Sequence, residues 1–208
     1  MRSRVSRSRW SPHESPRHFP PRSGNGKIRH MTAVFNKDYR DMIECLQREG
    51  VEFMLVGGYA VALHGWPRMT FDIDFWILAN SENAAAVMRA LKSFGAPLMD
   101  LKEEDFHRPG MVFQIGTAPQ RIDILSAVSG LSYADAQARA VAMTVDGLTL
   151  KVISLDDLIV NKRASGRPKD IADAMTLERM VVAAGVHSVC RMGCSADLPV
   201  PARHSRRQ

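Results

Sequence analysis

Three aspartates set in otherwise apolar stretches are the residues of this sequence best suited to chemistry. Asp72 and Asp74 interrupt "MTFDIDFWIL" (residues 69–78), where Phe71, Ile73, Phe75, Trp76, Ile77 and Leu78 read as a buried strand. Asp123 stands alone in a second such stretch, "RIDIL" (121–125). A carboxylate buried without a partner is costly, so these acids call for a ligand. In a strand, side chains two apart share a face, which makes Asp72 and Asp74 project together with Cα atoms roughly 6–7 Å apart. Carboxylates at that separation can hold one divalent cation between them and reach a second about 3.5–4 Å away. Phe71, Ile73 and Phe75 would then face the core. Asp123, on a neighbouring strand, would complete a three-carboxylate site. Three acids suit two Mg²⁺ ions, whose remaining positions go to water and substrate phosphates. Taken alone, the D-x-D pair reads more readily as an exposed strand face than as a metal site.

A fourth feature points the same way. Gly57-Gly58 falls directly between a strand and a helix, with thirteen residues separating it from Asp72. Glycines there let the backbone approach a phosphate, and the helix N-terminus that follows offers free N–H groups to an anion. A tight turn is the plainer use of the pair.

The elements that must position these residues alternate along the chain. Residues 37–49 place Tyr39, Met42, Ile43 and Leu46 on one helical face, and Gly50 is a natural stop. "VEFMLV" (51–56) reads as a buried strand and "YAVALHGW" as a short helix. "SENAAAVMRALKSFG" (81–95) is a helix with Ser81 as N-cap and Gly95 past its end. "MVFQI" (111–115) and "RIDIL" look like strands paired across a short turn. Ser132 with Asp135 forms a capping box before the helix "YADAQARAVAM" (133–143). "TVDGLTL" (144–150) is a hairpin whose Asp146-Gly147 suits a type I′ turn. Ser154 with Asp157 is a second capping box, opening a helix through about Ala164, and Pro168 opens the last one. The fold class is mixed α/β, an α+β mixed sheet in one domain over 31–185.

Composition narrows the setting. The chain of 208 residues carries 28 Lys/Arg against 22 Asp/Glu. Residues 1–30 hold eight of the basic residues against Glu14, and residues 186–208 hold four Arg against Asp197. Residues 31–185 are left with 16 basic and 20 acidic side chains, so the basicity belongs to the tails and no global basic patch is supported. Both tails, 1–30 and 186–208, are expected to be disordered basic extensions, and Met31 reads as the start of the foldable segment. An RNA-binding arm and an organellar transit peptide are the functional alternatives for 1–30, although its prolines oppose an amphipathic helix. His187, Cys190 and Cys194 lack a well-spaced second ligand pair for zinc. Three cysteines make no disulfide framework, and no apolar run reaches the ~20 residues of a membrane span, so a cytoplasmic protein without a membrane partner is expected.

"LVGGYAVALHGWPRMTFDIDFWI" followed by "RIDIL" resembles the nucleotidyltransferase superfamily of DNA polymerase beta and the minimal nucleotidyltransferases. That pattern is an apolar residue, Gly-Gly or Gly-Ser, a spacer, an apolar-flanked D-x-D, then a third apolar-Asp-apolar. Here it falls on Val56, Gly57, Gly58, Asp72, Asp74 and Asp123. The resemblance spans about residues 37–180, and within the superfamily the chain resembles the AbiEii abortive-infection toxin type and related antitoxin nucleotidyltransferases. "DDLIVNKRASGRPKDIAD" (156–173) resembles that group's C-terminal helical signature.

The resemblance implies a nucleotidyltransferase fold with C-terminal helices and transfer of a nucleoside monophosphate from an NTP to a hydroxyl. Asp72, Asp74 and Asp123 would ligate the two Mg²⁺ ions, with Asp123 also helping to activate the acceptor. Gly57 and Gly58 would cradle the β- and γ-phosphates. A further cation should meet those phosphates: Lys162 is the first choice, Arg167 and Lys169 are rivals, and a solvated helix end is the plain alternative. Arg68 and Thr70, just before the D-x-D, are further phosphate candidates. His64 reads as a core or cap residue, and Tyr59 and Trp66 as packing. The implied acceptor is macromolecular, a protein side chain or a tRNA 3′ end, within a toxin–antitoxin or phage-defence system that supplies a cognate toxin or antitoxin. The alternative is a non-catalytic antitoxin-like binding partner with the same fold.

Overall fold

The computed structural model describes residues 5–8, 34–117 and 120–183. Its strands are β1 (Val5–Ser8), β2 (Phe53–Val56), β3 (Asp72–Ile77), β4 (Val112–Thr117), β5 (Gln120–Leu125), β6 (Val141–Val145) and β7 (Leu148–Val152). They form one mixed sheet in the order β1-β4-β5-β3-β2-β7-β6. The helices are α1 (Lys37–Arg48), α2 (Gly57–Leu63), α3 (Ser81–Phe94), α4 (Tyr133–Arg139), α5 (Leu155–Ser165) and α6 (Pro168–Ala183).

The central strands are apolar because helices cover both faces. All four residues of β2 are buried. On one face Phe53, Leu55, Ile73, Phe75, Ile122 and Ile124 make the main core, with Phe53 and Phe75 edge-to-face at 5.6 Å. A 3-10 turn (Glu103–Phe106) packs against α3 and sets Phe106 on Phe113 of the same face. On the opposite face Trp76 is buried against Tyr133 of α4, their rings 5.2 Å apart. Asp72 and Asp74 share that face with Trp76, so the sheet is dry at one end and acidic at the other.

Local chemistry sets the ends of these elements. The Asn36 side chain caps α1, and Gly95 ends α3 in the left-handed region at φ 88°. Asp146 and Gly147 both take positive φ, 51° and 81°, as the type I′ turn between β6 and β7 requires. Ser154 caps α5 through the Asp157 N–H, and Pro168 is the first residue of α6. Ser132 caps α4, but its hydroxyl also donates to the Asp135 carboxylate (2.6 Å), so the Asp135 arm of the expected box closes on the hydroxyl.

Several expectations need correction. The N-cap of α3 is Asn80, whose side chain accepts from the Asn83 N–H at 2.7 Å, and Ser81 is the first helical residue. The helix expected over 133–143 stops at Arg139. Val141–Val145 instead pairs antiparallel with β7, because a β-branched run beside a tight Asp-Gly turn gains more from a ladder than from another helical turn. Phe71 does not face the core: it precedes β3 and is half exposed, and its carbonyl receives the Tyr39 hydroxyl and the Arg121 N–H. The expectations for 1–30, 186–208 and the trio His187, Cys190 and Cys194 lie outside the described residues, apart from Val5–Ser8, which pairs parallel with β4. Among the described residues no helix is long and apolar enough to cross a membrane.

Urea unfolding should separate the two caps of α3. Asn80→Ala is expected to cost about 1 kcal/mol, while Ser81→Ala should stay within about 0.5 kcal/mol.

Candidate active site

Register, more than sequence spacing, assembles the acidic site. β3 and β5 run parallel with Asp74 opposite Asp123 and Asp72 opposite Arg121. β4 places Gln114 opposite Asp123, and β2 places Val56 opposite Asp74. One row across the sheet therefore reads Gln114, Asp123, Asp74, Val56, and the next residue of the chain is Gly57. This explains why the glycines meet the acids: β2 ends where its neighbour carries Asp74.

Gly57 is required there for two reasons. Its φ is +68°, and a Cβ on it would lie 2.0 Å from Asp74 Oδ2. A Cβ on Gly58 would lie 2.5 Å from Thr70 Oγ1 and 2.9 Å from Arg68 Nη2. The two glycines are thus pressed between the carboxylate and the segment that leads into β3. Gly58 donates its N–H to Asp74.

The site's charges are strongly coupled. Burial, then the neighbouring Asp123 carboxylate, pushes the Asp74 pKa up to about 7, against the opposing pull of Lys162. Burial also raises Asp123, although Arg121 and Gln114 hydrogen-bond to it. Arg121 spans the cluster: its Nε lies 2.8 Å from Asp123 Oδ1 and its Nη2 lies 2.9 Å from Asp72 Oδ2. Gln114 Nε2 approaches Asp123 Oδ2 at 3.2 Å. The guanidinium holds two of the three carboxylates, while Asp74 lies under the glycines and, among the described residues, has no cation in direct contact.

The wall opposite is built by α5 and α6. Lys162 is 5% exposed and ion-pairs with Asp170 and, at 3.2 Å, with Asp173. Asp170 also receives Ser165 Oγ (2.7 Å) and Arg167 Nε (2.6 Å). Burial opposes its charge, but Lys162, Ser165 and Arg167 together hold its carboxyl below the usual range. Gly57, Gly58, Arg68, Thr70, Asp72, Asp74, Gln114, Arg121, Asp123, Lys162, Arg167 and Lys169 all line one cleft of about 590 Å³.

Every residue named from the sequence for metal or nucleotide therefore opens on the same cleft. His64, Tyr59 and Trp66 do not line it: His64 Nε2 contacts the Ile153 carbonyl at 2.7 Å, and Tyr59 packs on Phe35 and Tyr39. Sequence reasoning missed Arg121, Gln114, Asp170 and Asp173. Arg121 was within reach, because a residue two before Asp123 shares its strand face. Asp170 and Asp173 sit three apart on one helix face, but nothing in the chain links them to Lys162 before α5 and α6 pack.

The donor set fits a hard divalent cation. It offers only carboxylate oxygens, two of them on residues in direct cross-strand register, and burial with the Asp123 carboxylate beside it holds Asp74 above its ordinary pKa, a condition that a bound cation would relieve. Among the described residues no three such side chains are already gathered around one point, since Arg121 draws Asp72 and Asp123 to itself.

Residues 35–189 match the family described as "Nucleotidyl transferase of unknown function (DUF2204)". The chain belongs to that family. Its mixed sheet and C-terminal helices are accordingly those of the nucleotidyltransferase fold. Similar solved structures include TM1012, a proposed nucleotidyltransferase from Thermotoga maritima, at 16% identity over 74% of this chain and 99% of that one, with a TM-score of 0.47. The lincomycin-bound lincosamide antibiotic adenylyltransferase LnuA shows 15% identity over 70% of this chain and 98% of its own, with a TM-score of 0.46. The antibiotic-resistance factor ANT(2'')-Ia shows 14% identity over 71% and 82%, with a TM-score of 0.47. No curated protein matches the sequence.

Two outcomes test this geometry. Gly57→Ala should lower the urea midpoint, costing more than about 1 kcal/mol, because the positive φ and the Asp74 contact both reject a Cβ. In chelator-treated protein, Asp74 has a folded pKa of about 7 against an unfolded value of 3.8. Its protonated form therefore favours the folded state below the lower value, and that contribution is lost as pH rises through about 7. Denaturation of wild type and Asp74→Asn across pH 4–8 should accordingly show the variant gaining relative stability as pH increases.

Proposed function

We propose that this family member transfers a nucleoside monophosphate from an NTP to a hydroxyl of a macromolecular acceptor, with two Mg²⁺ ions and release of pyrophosphate. The observation that carries the proposal is the register of Asp74 against Asp123, with the Gly57-Gly58 turn seated directly on Asp74. A merely exposed strand face would give neither the burial nor the pressed glycines.

In this reading Asp72, Asp74 and Asp123 are the metal ligands. Bound there, the ions would neutralise charge building up on the phosphates and lower the pKa of the acceptor hydroxyl. The chain's own groups do the rest. Gly57 and Gly58 leave backbone surface free of side chains where the β- and γ-phosphates lie, and Thr70 and Arg68 flank them. Lys162 supplies fixed positive charge on the opposite wall, already felt at Asp74. Asp123 stands at the acceptor side and takes the hydroxyl proton as transfer proceeds. Arg121, which holds Asp72 and Asp123 here, would be freed for a phosphate oxygen if those carboxylates held the ions. Positioning and charge stabilisation of this kind account for most of the rate in phosphoryl transfer.

The acceptor is a protein side chain or a tRNA 3′ end. Arg167 has 77% of its side chain exposed, and Lys169, also exposed, lies beside it at the cleft mouth, so the rim can meet a polyanion. The likeness of residues 156–173 to the AbiEii signature supports a cytoplasmic role within a toxin–antitoxin or phage-defence pair.

The test is label transfer. Full-length protein is incubated with each α-³²P-labelled NTP in turn, Mg²⁺ and host lysate, with Asp74→Asn alongside. One labelled acceptor, at least a hundredfold weaker with Asp74→Asn, is the expected result. Equal silence of both proteins with every NTP would favour the non-catalytic binding partner. Labelled NMP released without an acceptor would indicate a phosphohydrolase.

A further inference from the structure

Asp173 touches the cleft from behind. It lies on α6 with its side chain 8% exposed, and it is not among the residues that line the cleft. Its Oδ2 is 3.2 Å from Lys162 Nζ, and its Oδ1 is 3.6 Å from Arg68 Nε. Those two cations come from different parts of the chain, α5 and the segment between α2 and β3, and both face the cleft. Arg68 at its far end lies against Gly58, where a Cβ would meet Nη2 at 2.9 Å. Asp173 is thus the joint between the two walls.

Its bonding differs from that of Asp170. Asp170 accepts hydrogen bonds from Lys162, Ser165 and Arg167. Asp173 Oδ2 and Arg68 Nε, both buried, have no hydrogen-bond partner among the described residues. Asp173 therefore holds its cations by charge without saturating their donors. A buried carboxylate of this kind fixes where cations sit, because moving either away would strand a charge in a dry setting. Arg68 and Lys162 both line the cleft, which is where a ligand richer in charge would meet them.

We propose that Asp173 is a positioning residue that sets Arg68 and Lys162 as a paired clamp for the triphosphate of the NTP. This rests on the nucleotidyl-transfer reading above. Asp173 touches neither substrate nor metal. It keeps the two cations at a fixed separation across the cleft, so the phosphates meet a preformed site and need not order two long side chains.

Full-length wild type, Asp173→Asn, Arg68→Gln and the double variant are titrated with a fluorescent ATP analogue and with unlabelled ATP, CTP, GTP and UTP as competitors, in Mg²⁺. Thermal midpoints are recorded beside them. Asp173→Asn should weaken triphosphate binding about tenfold. In the label-transfer assay it should raise KM for the NTP by a similar factor while leaving kcat within about threefold. The double variant removes a cation and an anion together, so it should fold even if Asp173→Asn does not. Relative to Arg68→Gln it should lose less affinity than Asp173→Asn loses relative to wild type, because the share of the effect that runs through Arg68 is already gone and only the share through Lys162 remains. Unchanged triphosphate affinity in Asp173→Asn, a fall in kcat without a rise in KM, or independent multiplicative losses in the double variant would overturn the proposal while leaving nucleotidyl transfer intact. A wild type that binds none of the four triphosphates would overturn both.

Discussion

Two carboxylates stand side by side on adjacent parallel strands, and the rest of the site answers their mutual repulsion. Asp74 and Asp123 cannot separate without breaking the β3–β5 register, which also holds Ile73 on Ile122 and Phe75 on Ile124 in the core. The apolar side of the sheet thus enforces an arrangement that the acidic side would not choose. Arg121 relieves part of the repulsion by drawing Asp72 and Asp123 together, and burial, with Asp123 beside it, makes Asp74 hold its proton more tightly. In the function proposed above, such a site would exchange a proton and a guanidinium for harder cations.

The same logic extends to the helical wall. Lys162 is too buried to be a stray surface charge, and its two aspartates bring it close enough to influence Asp74. Arg167 and Lys169 lie further out, where solvent screens them. The cleft therefore grades from fixed, desolvated charge at its floor to solvent-exposed charge at its rim. That gradient suits a small polyanion held deep and a larger partner met at the surface.

The glycine turn is the second constraint. A helix begins at Gly57 because β2 ends beside Asp74, and any side chain there would displace the carboxylate. Strand end, helix start and acid are one packing problem with one residue type as its solution. This is why a motif that reads in sequence as two separate signals, glycines and D-x-D, is physically single.

The alternation of elements, the Ser caps of α4 and α5, the turns and the three acids in apolar strands could be read from the chain alone. These follow from rules that act over a few residues: strand and helix periodicity, Ser caps, the positive φ of Asp146-Gly147, and the cost of lone carboxylates. Such local rules misplaced the cap of α3, where two adjacent residues can both cap, and read Val141–Met143 as helix, because the hairpin partner that decides the matter lies outside that window. Phe71 looked like core since period-2 alternation does not say where a strand starts. It took the packed fold to set Asp74 in register with Asp123, to bring Arg121 onto both Asp123 and Asp72, the latter 49 residues away along the chain, and to let Asp170 and Asp173 hold Lys162 and Arg68. Those are contacts between segments, fixed by strand order and helix packing, and no local pattern in the chain encodes them.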